Sequence, residues 1–130
     1  MVRLRALLWS WSCLLFAFVL PAQEPDDADD LAGLLRSAQQ KLQRGEWSSA
    51  SNQFEELLDA LTEEPATSAN AELGAAAQLG LWTIAGRRGQ YEEVVAGIAA
   101  AEPTLRSRGE VQRLRAAMLR RTGRYAEAAA

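Results

Sequence analysis

The sequence contains no histidine, and its single cysteine, Cys13, lies near the N-terminus. Without histidine there is no imidazole base, so the usual nucleophile–histidine pairs and Cys/His zinc sites are excluded. A lone cysteine cannot close a disulfide within the chain, so packing must hold the fold. No excess of positive charge is present: 14 basic residues stand against 17 acidic ones, net −3. Such a chain has no global attraction to nucleic acid. No catalytic, cofactor-binding or metal-ligating residue is assigned. Glu55, Glu56, Glu92 and Glu93 are available carboxylates, but they sit beside apolar stripes with no partner group that would make an acid–base site.

Long apolar runs are scarce too, with one exception. Met1-Val2-Arg3-Leu4-Arg5 is a short basic start, and Ala6 to Leu20 is apolar apart from Ser10 and Ser12. Pro21-Ala22 and an abruptly acidic stretch follow. This order reads as a secretory signal peptide over residues 1–22, cleaved after Ala22, and implies an exported protein, periplasmic or secreted. An uncleaved membrane anchor is the alternative, although the 15-residue run is shorter than the roughly 20 residues that span a bilayer. Cys13 follows Ser10-Trp11-Ser12, which lacks the apolar residue usual before a lipid-modified cysteine. Removing residues 1–22 takes away Arg3, Arg5 and Cys13, leaving 12 basic against 17 acidic residues, net −5.

Residues 23–30 hold five carboxylates and Pro25, which predicts a solvated acidic linker. Nothing fixes these carboxylates in a metal coordination shell. From Leu31 onward the pattern is helical. Leu31, Leu34, Leu35, Ala38 and Leu42 recur at spacings of three and four, predicting a helix over 31–44 capped by Asp30 and ended by Gly45. Ala50, Phe54, Leu57, Leu58 and Leu61 mark a second helix over 48–61, with Ser48 as its cap. A polar stretch around Pro65 breaks the pattern. A third helix over 70–88 is capped by Asn70 or Ser68. Its Gly74, Gly80 and Gly86 each cost about 1 kcal/mol relative to alanine, so close approach of a neighbouring helix is their expected reason. A fourth helix spans 90–102. A fifth spans 108–122, with Ser107 and Glu110 in capping-box spacing. A sixth begins at 124 and runs into the end of the sequence.

One stretch returns. Arg88-Gly89-Gln90-Tyr91-Glu92-Glu93 corresponds to Thr122-Gly123-Arg124-Tyr125-Ala126-Glu127, an interval of 34 residues. A related copy, Arg44-Gly45-Glu46-Trp47, lies 44 residues before Gly89. Gly45, Trp47, Gly89, Tyr91, Gly123 and Tyr125 are therefore read as turn residues between paired helices, the aromatics packing between the two helices of each pair. A fixed period of this length signals stacked repeats.

Two helices of about a dozen residues, a Gly-x-aromatic turn and this period resemble the tetratricopeptide repeat (TPR). The fold implied is an all-α, TPR-like helical-hairpin solenoid of about two and a half repeats over residues 31–130. Ala38, Gly45, Trp47, Ala50 and Phe54 match the first unit, Gly89 and Tyr91 the second, and Ala116, Gly123, Tyr125 and Ala128 the third. Trp82 stands where the family has a small residue, and Val94 and Ile98 replace its alanine and aromatic. The ten extra residues between the first two units are expected in the second helix, in the loop around 63–70, or in both.

The resemblance implies a scaffold that binds a protein or peptide along the concave face of the first helices. Position by position this selects Leu35, Gln39, Leu42, Leu79, Thr83, Arg113, Ala117 and Arg120. Residues 104–130 carry seven arginines against Glu110 and Glu127, so an acidic peptide is a concrete partner. A solvated face with dipole compensation at helix ends is the competing explanation. The lysine and asparagine positions of the chaperone-binding type are occupied by Leu35, Gln39 and Leu114, so that ligand is not implied. An alternative is the N-terminal TPR module of a longer exported protein, with a catalytic domain downstream. A small core with half a repeat at one end predicts marginal stability or self-association through that end.

Overall fold

The computed structural model describes residues 27–130. The readings of residues 1–22 and of 23–26 lie outside them. Among the described residues the fold is all-helical, without strands: α1 (Asp27–Gln43), α2 (Trp47–Thr62), α3 (Ser68–Arg87), α4 (Tyr91–Ala100), α5 (Pro103–Arg106), α6 (Gly109–Arg121) and α7 (Tyr125–Ala128). None of these helices is long and apolar enough to cross a membrane.

Three turns of one geometry organise the chain. Gly45, Gly89 and Gly123 have φ of 80°, 82° and 81°, a region a side chain makes costly. Each glycine N–H donates to the carbonyl three residues back: Leu42 at 3.1 Å, Gly86 at 3.1 Å and Arg120 at 3.2 Å. The next residue reaches one turn further. Glu46, Gln90 and Arg124 donate to the carbonyls of Lys41, Ala85 and Leu119 at 2.9, 3.0 and 2.9 Å. This pair of bonds is a Schellman motif, which satisfies carbonyls that the ending helix leaves unpaired. The same three residues open the next helix. Their carbonyls accept from Ala50, Val94 and Ala128 at 2.9, 3.2 and 3.2 Å. Each turn thus ends one helix and starts another, so α1 with α2, α3 with α4 and α6 with α7 form pairs.

Helix starts differ from those the sequence predicts. Asp30 lies inside α1, which begins at Asp27. Ser48 lies inside α2, whose N-cap is Glu46 without a side-chain cap bond. The backbone handover makes a serine cap unnecessary there. The cap of α3 is Thr67, whose hydroxyl accepts from the Asn70 N–H at 3.2 Å. The Ser107–Glu110 capping box does not form. Pro103 starts the short α5 and leaves Ser107 as its C-cap, with its hydroxyl donating to the Thr104 carbonyl at 3.1 Å. Arg108 becomes the N-cap of α6 and makes no side-chain cap bond.

Of the places expected for the extra residues of the first interval, the second helix holds part and the loop none, and the rest lie in α3. The α2–α3 link spans only 63–67, whereas α4 and α6 are joined by 101–108. The extra length is helical: α2 has 16 residues against 10 in α4, and α3 has 20 against 13 in α6.

Two apolar clusters form the core. The first gathers Leu31 and Ala38 of α1, Ala50, Phe54 and Leu57 of α2, and Ala77 and Ile84 of α3. The second gathers Trp82 of α3, Val94, Val95 and Ile98 of α4, and Val111, Met118 and Leu119 of α6. Helix α3 contributes to both and therefore lacks a single polar face. Glycines let large side chains sit close. A Cβ on Gly80 would lie 2.6 Å from Phe54 Cε2, and one on Gly86 would lie 2.9 Å from Met118 Sδ. Gly97 of α4 faces Trp82 in the same way, at 2.8 Å from its indole nitrogen. Gly74 differs, since its Cβ would make an ordinary 3.6 Å contact with Leu61.

Candidate functional site

Helices α3 and α6 run side by side in the same direction. Glu72 of α3 meets Arg108 at the start of α6, while Gly86 meets Met118 near their far ends. Between those far ends lies a cleft of about 470 Å³. Tyr91, Leu114 and Met118 supply its apolar surface, and Thr83, Arg87 and Arg121 its polar groups. The Thr83 hydroxyl already donates to the Leu79 carbonyl at 2.8 Å, so it can still accept.

The two arginines are the chemically open groups. Arg87 and Arg121 occupy the last turns of α3 and α6 and are exposed. Among the described residues neither forms an ion pair. Arg36, Arg44, Arg113, Arg115 and Arg120 also lack an ion pair among the described residues but lie outside this cleft, whereas other arginines are engaged. Arg108 grips Glu72 through two bonds of 2.9 and 2.6 Å. Arg124 holds Glu127 through bonds of 2.9 and 2.6 Å, and Glu92 at 2.9 Å. Hydrogen bonding from Arg108 holds the Glu72 carboxyl below its ordinary range, and Arg124 does the same for Glu127. Arg106 donates to the Ala99 carbonyl at 3.1 Å.

The residues selected from sequence are dispersed. Leu35 and Leu42 of α1 are half-buried against the first cluster, and Gln39 is exposed. Leu79 and Ala117 are half-buried against the second cluster. Thr83 alone among the eight lines the cleft. Arg113 and Arg120 are exposed outside its lining. Arg87 and Arg121 were missed, although each stands one turn beyond a selected position, Thr83 and Ala117. Residues four apart share a helix face, so the signal was present. The turn aromatics also diverge. Trp47 and Tyr91 are half-buried against the two clusters, whereas Tyr125, expected between its paired helices, is 67% exposed.

Other hollows offer less. The one at the α2–α3 link measures about 640 Å³, but its Thr67 and Asn70 are already engaged in the helix cap. Another, of about 310 Å³, is floored by Leu81 and Trp82 and rimmed by Glu55, Glu93 and Arg88, whose charges are mixed in sign.

In comparison with known proteins, the chain matches no family model, no curated protein and no solved structure.

Proposed function

We propose that this chain is a TPR-like helical solenoid that works as an exported, non-catalytic scaffold and binds a carboxylate-bearing peptide segment. The ligand lies between the far ends of α3 and α6. The observation that carries this reading is the pair Arg87 and Arg121, both without a carboxylate partner among the described residues and both lining one cleft with Tyr91, Leu114 and Met118. Guanidinium groups suit bidentate pairing with carboxylate, and the apolar surface beside them accepts an adjoining aliphatic or aromatic side chain. Three glycine turns with matching φ and matching hydrogen bonds support the repeat reading. Arginines in a last helical turn also complement the helix dipole, a role that needs no ligand.

Binding separates the two roles. A labelled acidic peptide with a free C-terminal carboxylate is titrated alongside a counterpart in which lysine replaces the acidic residues. The acidic peptide binds, and Arg87→Ala with Arg121→Ala weakens it about tenfold or more. Equal binding of the basic counterpart, or undiminished affinity in the double variant, contradicts the proposal.

A further inference from the structure

The 34-residue interval permits a comparison between faces. Leu79, Thr83, Gly86 and Tyr91 of the second pair border α6. Their counterparts in the third pair are Arg113, Ala117, Arg120 and Tyr125. That face is open, since both arginines are exposed and Tyr125 is 67% exposed. Neither arginine has an ion-pair partner among the described residues. Two such faces brought together would oppose like charges, so this surface is unsuited to pairing with its own copy.

A complementary face exists elsewhere on the chain. Glu56 and Ala60 of α2, with Glu63 at its C-cap, follow the spacing i, i+4, i+7, as do Arg113, Ala117 and Arg120 of α6. Glu63 keeps right-handed helical angles (φ −93°, ψ −9°), so the pattern continues through it. Glu56 and Glu63 are exposed and without ion-pair partners among the described residues, and α2 contains no basic residue. In both faces a small alanine lies between charges about 10 Å apart along the helix, which permits close approach. Parallel packing places Glu56 on Arg113, Ala60 on Ala117 and Glu63 on Arg120.

We propose that the α6 face of one molecule docks on the α2 face of a second copy of this chain, giving a weak, salt-sensitive self-association. Each copy carries both faces, so the contact is heterologous. The sequence predicts self-association through the C-terminal end; in this contact α6 at that end meets α2 of the next copy.

Sedimentation velocity of the full chain over a concentration series, in about 50 mM and about 500 mM salt, tests it. The expected result is a mass that rises with concentration at low salt, with association weakened about tenfold or more at high salt. Arg113→Glu with Arg120→Glu abolishes it, as does Glu56→Arg with Glu63→Arg. A mixture of these two variants restores association, because the acidic α2 of one meets the basic α6 of the other. Circular dichroism checks that each variant is folded, and the milder Arg113→Gln with Arg120→Gln serves if charge reversal unfolds it. A mass independent of concentration at low salt overturns the proposal. So does association that survives high salt and charge reversal, or a mixture that stays monomeric.

Discussion

The junctions on the two sides of α3 use the same material differently. Towards α2, Gly80 receives the rigid ring of Phe54, which is wholly buried. Towards α6, Gly86 receives the thioether end of Met118, beside an open cleft. The α3–α6 junction is also tied by Glu72–Arg108, and the neighbouring α4–α7 contact by Glu92–Arg124. Towards α2 the cross-link among polar side chains is the 3.2 Å bond from Arg88 to Ser48. One side is held by shape. The other adds exposed charge and leaves a groove. A glycine in a helix can therefore serve a tight interior or an adaptable one, and the facing side chain decides which.

The largest effect should come from Phe54→Ala. It empties a fully buried aromatic site and should cost about 3–5 kcal/mol in chemical denaturation. If Phe54 and Gly80 form one unit, Gly80→Ala should become less harmful in that background. Additive losses in the double variant would break the pairing.

The next contrast is between the glycines themselves. Alanine at either site gains about 1 kcal/mol of helix propensity. At Gly80 the methyl meets a ring with no open side, so overpacking of about 1–3 kcal/mol should prevail and the variant should melt lower. At Gly86 the Met118 end can swing towards the cleft, so Gly86→Ala should match or exceed the parent in stability. Equal losses at both positions would show that the two junctions are equally rigid.

The smallest effect is electrostatic. Glu72 has a lower pKa folded than unfolded, so its pairing with Arg108 stabilises the fold above the unfolded carboxylate pKa, about 4.3. That contribution is lost as pH falls through the lower folded value. Both partners are solvent-accessible, so the gain is small. Thermal melts should place Glu72→Gln slightly below the parent at neutral pH, with the gap closing in strong acid. A gap that stays constant with pH would assign the difference to packing.

The turns were legible because a glycine with positive φ followed by an aromatic leaves a compact local signature. Gly45, Gly89 and Gly123 carry it unaided. Helix starts were less legible because the cap sits in the backbone: Glu46, Gln90 and Arg124 open helices without a side-chain cap bond. Gly80 and Gly86 could be read as sites of close approach, but their partners could not, because Phe54 and Met118 meet them across space. Trp82, bulky at a position where the TPR pattern has a small residue, is accommodated by Gly97 on the facing helix. The candidate cleft was legible only as a face. Its arginines lie one turn from the positions that the repeat pattern selects.

The proposed binding of carboxylate between the far ends of α3 and α6 is open to direct observation. The most direct measurement is a titration of the isotope-labelled chain with the acidic peptide, followed by backbone amide and arginine side-chain NMR. The account predicts that the shifts concentrate on Thr83, Arg87, Tyr91, Leu114 and Arg121. Shifts confined to other surfaces, or none at saturating peptide, would contradict it.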